Sequence, residues 1–467
     1  MSPENPEEIV TDLIPRLTEL LASQQTREAR SALVALMDPE VADALKALEP
    51  GHQAVAFRLL PRERAAQVFS YLQVSEQEEL LKILHSEQLA QLLDAMHPDD
   101  RAELFEELPG QLAAKLLALM RPEERRVTQI ILGYPPQSVG RIMTPDYVTL
   151  RPSWTVADAL EHLRQKGRDA ETLHTLYVVD DAGHLIDELR LRTLVLSDRS
   201  VAVQNLLAGT VVPLHATDDR EEAVRVMERY DRPVLPVVDR ESFLVGIVTF
   251  DDVADVAAAE ATEDIQKMGG VEALDEPYIT TPVLRLVRKR GTWLAVLFLG
   301  EMLTASAMSY FESEIAQAVV LTLFIPLIIS SGGNSGSQAS TLIIRALAIG
   351  EVQVKDWWRV LLRELQCGAL LGVLLAAIGF ARIQIWQGLG WSDYTDHFVL
   401  VGLTVAASLM GVVLWGSIAG SMLPFLLRVV KLDPATVSAP FVATMVDVTG
   451  LVIYFTVAYL VLHGTLL

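Results

Sequence analysis

The chain has 467 residues, 51% of them hydrophobic, and carries 60 acidic against 38 basic side chains, a net charge of −22. Residues 291–467 hold 7 Lys/Arg and 10 Asp/Glu (net −3), which leaves 31 and 50 (net −19) for residues 1–290, so a length fit for two or three domains divides into an acidic soluble part and a membrane part. Surplus carboxylate speaks against nucleic acid and in favour of cations as partners, and a single cysteine, Cys367, excludes a disulfide framework or a thiolate metal site.

The opening "MSPENPEEIV" is acidic and has no apolar core, so no cleavable signal peptide is expected and the soluble part stays in the cytoplasm. Residues 1–135 read as an all-α domain of short amphipathic helices. "LLPRERAAQVFSYL", "MHPDDRAELFEEL" and "MRPEERRVTQIIL" share one layout: an apolar residue, a proline, charges, then apolar positions at helical spacing. Proline suits the first helical turn and the acids after it suit the positive helix end. The repetition predicts a stack in which neighbours bury one another's apolar faces. Asp99 and Asp100 are the acids singled out in it.

From 136 to 255 strands alternate with helices, and the pattern occurs twice. "VTLRPSWTVADALEHL" aligns with "VPLHATDDREEAVRVM", and "LYVVDDAGHLIDELRLRTL" with "LPVVDRESFLVGIVTFDDV". Two such α/β copies imply a pseudo-symmetric pair, which resembles a tandem CBS (cystathionine β-synthase) domain module. The first copy departs from the second: Asp187 stands opposite Gly246 and Thr193 opposite Asp252, which speaks against a nucleotide site there.

The stretch "DDVADVAAAEATEDIQKMGG" is helical by propensity, and a connecting helix is expected within 256–290. At about 100° per residue, Asp252, Asp255, Glu260 and Glu263 share one face with Asp264 beside it. Taken alone this reads as a solvated face, yet a divalent cation would reverse the repulsion among such carboxylates, because hard cations take oxygen ligands.

Residues 291–467 hold five apolar segments at about 292–311, 316–349 (interrupted), 365–387, 398–423 and 435–463, each near the roughly 20 residues that span a bilayer. Arg285, Arg288, Lys289 and Arg290 precede the first, Lys355, Arg359 and Arg363 separate the second and third, and Arg428 and Lys431 the fourth and fifth. The loops "YFESE" and "GLGWSDYTD" carry no Lys or Arg, so the basic-inside bias predicts a cytoplasmic N-terminus and a C-terminus outside. Within the second segment "SSGGNSGSQAS" allows either close helix packing or a helix break, and Asn334 and Gln338 in it need partners. In the fifth stands Asp447. A charged carboxylate at mid-membrane costs roughly 2.5–3.5 kcal/mol even on the lenient scale, so it lines water, binds a cation or is protonated. Thr444 and Gly450 on its face form a small polar stripe. Glu301 in the first segment has no such stripe, which predicts a helix-to-helix hydrogen bond.

"GGNSGSQASTLIIRALA", "LDPATVSAPFVATMVDVTG" and "ATEDIQKMGG", in this order, resemble the MgtE family of magnesium channels over nearly the whole chain. That resemblance implies a homodimer in the inner membrane, with a Mg²⁺ path lined by the second and fifth membrane helices. It assigns Asp447 to the pore carboxylate and Asn334 to the polar lining. It assigns Asp252, Asp255, Glu260, Glu263 and Asp264, with Glu221 and Asp231 of the CBS pair, to regulatory Mg²⁺ sites, and it admits ATP as a CBS ligand. Ala439 and Ser337 stand where the family pattern has Asn. A carrier coupled to H⁺ or Na⁺, and a nucleotide sensor without transport, are the competing readings. Enzyme chemistry has no support: there is no phosphate loop or nucleophile–base pair, and the nine histidines are scattered.

Overall fold

The computed structural model describes residues 6–274, 278–279, 281–391, 394 and 397–466. It forms two compact units, Met1–Ala258 and Ala259–Leu467.

The first unit begins with ten helices among the described residues: α1 (Pro6–Ala22), α2 (Thr26–Val34), α3 (Asp38–Lys46), α4 (Pro50–Arg58), α5 (Arg62–Ser70), α6 (Val74–Ile83), α7 (Ser86–Leu93), α8 (Pro98–Glu107), α9 (Gly110–Leu119) and α10 (Pro122–Leu132). The repeated proline starts helices as its missing N–H dictates: Pro39, Pro50, Pro98 and Pro122 lie in first turns, and Pro61 and Pro109 immediately precede α5 and α9. Each helix is too short to bury its apolar stripe alone. α3 packs on α1 and α5, α5 on α7 and α7 on α9, and the shared core includes Leu33, Leu45, Val68, Phe69, Leu80 and Leu93. The expected stack is therefore present.

Two equivalent α/β copies follow. The first holds β1 (Thr149–Leu150), α11 (Val156–Lys166), β2 (Thr175–Val179), β3 (Leu185–Arg190) and α12 (Leu191–Leu196). The second holds β4 (Leu214–His215), α13 (Arg220–Tyr230), β5 (Val234–Val238), β6 (Leu244–Thr249) and α14 (Phe250–Met268). In each sheet the first strand pairs parallel and the third antiparallel to a fully buried central strand. Both carry the same bulge, at Val178/Val179 and Val237/Val238. The hairpin tips exchange reciprocal bonds: Leu185 N–H donates to the Ser242 carbonyl at 3.0 Å, and Leu244 N–H to the Gly183 carbonyl at 3.3 Å. These residues are equivalent in the two copies, so the pair has a local pseudo-twofold.

Asp187 explains how the first copy diverged. It is buried and accepts from the backbone N–H of Glu188 at 2.9 Å and of Gly209 at 2.7 Å, a lock on the chain between the copies. The equivalent Gly246 instead admits Met143, whose Sδ would stand 2.7 Å from any Cβ placed there.

The stretch 251–270, expected to be helical, forms α14. α14 starts at Phe250, as the closing helix of the second copy, and runs unbroken to Met268. It stops at Gly269–Gly270, the latter at φ +73°, and no helix is described between 271 and 282.

The second unit contains α15 (Val283–Tyr310), α16 (Glu312–Gln317), α17 (Ile325–Ala348), α18 (Trp357–Gly388), α19 (Phe398–Val429) and α20 (Ala439–Leu462), with 3₁₀ turns at Val319–Phe324 and Val354–Asp356. Five of these stretches are long and apolar enough to cross a membrane. α19 packs on α17, α18 and α20, α17 also packs on α20, and α15 packs on α20. The interruption expected in the second segment lies at Val319–Phe324, ahead of α17, and not at its glycines.

Candidate ion path and cation-sensing surfaces

The glycines of α17 bring three apolar helices together. A Cβ on Gly336 would stand 3.0 Å from the Gly416 carbonyl oxygen, and a Cβ on Gly420 would overlap the Gly336 carbonyl. Gly416 meets the Gly332 carbonyl in the same way. Gly332/Gly336 against Gly416/Gly420 is thus a reciprocal small-residue crossing with backbone on backbone. Of the two readings of "SSGGNSGSQAS", packing is the one found: α17 is continuous. Ser335 Oγ and Ser417 Oγ, 2.8 Å apart, satisfy each other inside the crossing.

Gly333, next to that crossing, faces α20, and a Cβ there would stand 3.7 Å from Asp447 Oδ1. Asp447 is half-buried, and among the described residues it accepts no hydrogen bond. Its stripe is divided. Thr444 donates to the Pro440 carbonyl at 3.0 Å and lies against Gly300 of α15, while Gly450 is buried under Val412 of α19. Only Asp447 faces the α17 side. Asn334 is exposed on α17, its Nδ2 3.4 Å from Ser330 Oγ. Glu301 is close enough to repel Asp447 electrostatically and, among the described residues, makes no hydrogen bond, so the helix-to-helix bond expected of it is not formed within the chain.

Below α20, the end of α14 is held at the loop between α19 and α20. Lys267 Nζ donates to Glu263 Oε1 and to Asp433 Oδ2, both at 2.7 Å. Asp264 is raised above its ordinary pKa by partial burial and by Asp433. Gly270 packs so closely on Trp293 that a Cβ would stand 2.7 Å from the indole, and Trp293 Nε1 donates to Ser438 Oγ, the N-cap of α20, at 2.9 Å. The sequence reading missed Lys267 and Asp433. Glu263 and Lys267 at i,i+4 were a legible pair, whereas Asp433 is 166 residues away.

In the first unit the acids of α8 and of the start of α14 lie within electrostatic reach of one another. Asp99 is buried and its pKa is well raised, by burial first and then by the charges of Asp252, Asp100 and Glu171. Asp252 is pushed up to about 7 by burial, against the hydrogen bond from Thr249 Oγ1 at 2.5 Å and with the charges of Asp251 and Asp100. Glu103, one turn along from Asp99, feels the charge of Asp255. Asp146 also stands above its usual range, through burial. One cation is built in: His97 Nδ1 lies 2.7 Å from Glu171 Oε2, and that bond, with Asp99 and Asp100 adding to it and burial opposing, raises the imidazole to about 9.

These carboxylates suit a hard cation. Among the described residues no three His, Cys, Asp or Glu side chains are set closely enough to grip a bare ion. Glu221 and Asp231 are not brought together within the chain. Glu221 lies in the first turn of α13, and Asp231 caps its C-terminal end at φ +51°, about 15 Å along the axis.

The whole sequence has relatives of known identity. It is 39% identical over 451 residues to the magnesium transporter MgtE of Thermus thermophilus, covering 96% of this chain and 98% of that one. The chain belongs to the MgtE family. Residues 36–137 match the MgtE intracellular N domain, 139–197 and 203–259 match CBS domains, and 325–457 match the MgtE region described as a divalent cation transporter. The magnesium transporter MgtE of Bacillus subtilis is 33% identical over 339 residues, 73% of either chain. Two solved structures share the soluble fold. The cytosolic domain of the Mg²⁺ channel MgtE in complex with ATP is 36% identical with TM-score 0.51, covering 52% of this chain and all of that one. The soluble part of a magnesium transporter is 29% identical with TM-score 0.51, covering 54% and 99%. Asp99, Asp252 and Asp255 lie in the matched MgtE N and CBS regions, and Asn334 and Asp447 in the matched MgtE membrane region.

Proposed function

We propose that the chain is a Mg²⁺-selective channel of the inner membrane, with its soluble domains in the cytoplasm and its C-terminus outside, and that cytoplasmic Mg²⁺ closes it. The observation that carries this reading is Asp447: a half-buried acid at mid-membrane, against the backbone of α17 and without a hydrogen bond among the described residues. An intramembrane carboxylate left without a donor is stabilised by a cation or water. In a homodimer with α17 and α20 at the axis, two copies of Asp447 face each other. Their mutual repulsion then favours a divalent guest over a monovalent one. Mg²⁺ dehydrates reluctantly, so the carboxylates hold it through its waters, and Asn334 offers a further polar contact on the same path.

Closure is a population shift. Without Mg²⁺ the acids of α8 and α14 repel, and with Mg²⁺ between them the compact arrangement is favoured because it binds the ions more tightly. Asp252, Asp255, Glu260, Glu263 and Asp264 are the α14 acids assigned to this role, with Glu221 and Asp231 as CBS ligands and Asp99 as their partner in the N domain. ATP in the cleft of the CBS pair is a second ligand of the same module, supported by the ATP complex of the related cytosolic domain.

The test is Mg²⁺ flux into proteoliposomes. Asp447→Ala is expected to lower flux by about tenfold or more, and Asp447→Asn to lower selectivity for divalent over monovalent ions. Undiminished rate and selectivity in both variants would overturn the assignment. Unitary currents in a planar bilayer, far above carrier turnover, distinguish a channel from a coupled carrier.

A further inference from the structure

The membrane unit carries an apolar groove of about 640 Å³ lined by α18 with the turn before it, by α19, and by Met445 of α20. Its walls include Trp357 and Leu361 of α18 and Trp415, Ala419, Met422 and Leu426 of α19. The volume lies in the range of small-molecule sites. From Trp415 to Val429 the α19 wall runs about 21 Å, enough to line the roughly 15 Å of one leaflet's hydrocarbon. The small side chain of Ala419 leaves room at the groove's middle.

Basic residues adjoin one end of the groove in sequence. Lys355 and Arg359 lie two positions to either side of Trp357, and Arg428 and Lys431 follow Leu426, all four exposed, while the lining of the groove itself holds no Lys or Arg. Arg359 is committed, lying 3.4 Å from Asp356 and over the Trp358 ring at 5.4 Å. Among the described residues Lys355, Arg428 and Lys431 form no ion pair. The nearby Asp433 is already held by Lys267. Trp357 is half exposed at this end, as suits an indole at the level of lipid headgroups.

We infer that this groove is a binding site for an anionic phospholipid of the inner leaflet. One acyl chain lies against Ala419, and the headgroup phosphate is held by Lys355, Arg428 and Lys431. Unpaired cations beside an apolar cleft between membrane helices recognise an anionic headgroup where a lone apolar face would take any lipid. The placement of the basic end at the cytoplasmic leaflet rests on the topology proposed above. The lipid is read without a transport assay, so failure here leaves the transport reading standing.

The experiment places the full chain in nanodiscs of equal phosphatidylglycerol and phosphatidylcholine and counts retained lipids by native mass spectrometry. The wild type is expected to retain phosphatidylglycerol in preference, and each of Lys355→Gln, Arg428→Gln and Lys431→Gln to lower that preference about fivefold. These positions are exposed, so the fold survives the changes. Ala419→Phe is expected to lower retention of both lipids, and excess glycerol phosphate to displace neither. Equal retention of the two lipids by the wild type overturns the inference, as does unchanged preference in the three Gln variants. A changed oligomeric state in Ala419→Phe with lipid retention intact also overturns it, by giving the groove to a second copy of the chain.

Discussion

At the scale of single residues, backbone contact decides what can be changed in the membrane unit. Gly420 has no room for a methyl group, because the Gly336 carbonyl occupies its place. Gly420→Ala must therefore push α17 and α19 apart, and overpacking of this kind costs about 1–3 kcal/mol. Thermal unfolding of the full chain in detergent should show a lower midpoint. Gly110, with nothing within 4 Å, serves as the control: Gly110→Ala should leave the midpoint unchanged or slightly higher, since alanine favours helix. Equal effects of the two substitutions would refute the close crossing. Asp187 makes the corresponding case in the soluble part. Asp187→Ala would leave the N–H groups of Glu188 and Gly209 without their acceptor. A cost of about 1–3 kcal/mol is expected, read as earlier proteolysis between the two CBS copies.

At the scale of elements, the nearness of the α8 and α14 acids makes cation binding a competition with protons. Burial pushes Asp252 up to about 7 and raises its neighbour Asp99 as well, so at low pH the pair holds protons that a bound Mg²⁺ would have to displace. The sign follows from the raised folded-state values. Without Mg²⁺ the α8–α14 contact is strongest at low pH and weakens as pH rises from about 4 to about 7. Mg²⁺ affinity of the soluble part moves the other way, falling as pH drops through 7, and binding releases protons. His97, raised to about 9, stays charged throughout that window and opposes neither trend. Isothermal titration of Mg²⁺ into the protein at pH 6 and pH 8, in buffers of different ionisation enthalpy, reads both quantities. Equal affinity and no proton release at the two pH values would count against Asp252 as a ligand. This surface also marks where the sequence stops being legible. The helical period of each element, the prolines that start α8 and α10 and the doubled strand pattern are local signals, and they fixed elements correctly. The acidic arc of α14 was visible for the same reason. Its partner was not, because Asp99 and Asp252 meet only after the helical stack and the CBS pair have folded against each other. Glu171, Asp146 and His97 carry no local sign of convergence, and Asp433 with Lys267 is hidden in the same way. The glycines of α17 were ambiguous from sequence because their meaning depends on Gly416 and Gly420 of another helix.

At the scale of the whole molecule, the gating proposed above treats the acidic soluble part as a store of repulsion that a cation would release. Residues 1–290 carry a net −19, which opposes compaction by self-repulsion. A ligand moves a two-state equilibrium only by its differential affinity, and a shift from 1:99 to 99:1 needs a ratio of about 10⁴. One Mg²⁺ held through water by two or three carboxylates would supply a fraction of that, so the closure proposed above requires several ions acting together. Removing some of their ligands should then raise the Mg²⁺ needed for closure steeply. Asp252→Asn, Asp255→Asn and Glu260→Gln, combined, remove three α14 acids without touching the path at Asp447. The combined variant is expected to conduct at low Mg²⁺ like the wild type and to stay open at Mg²⁺ concentrations that close it, and Mg²⁺ should no longer protect its soluble part from protease. Neutralisation also lowers the repulsion of the ion-free state, which by itself would favour compaction. The two explanations therefore separate in the absence of Mg²⁺: a variant that is closed there reports relieved repulsion, and one that is open at all Mg²⁺ concentrations reports lost ligands. Closure at the same Mg²⁺ concentration as the wild type would show that these carboxylates do not hold the regulatory ions.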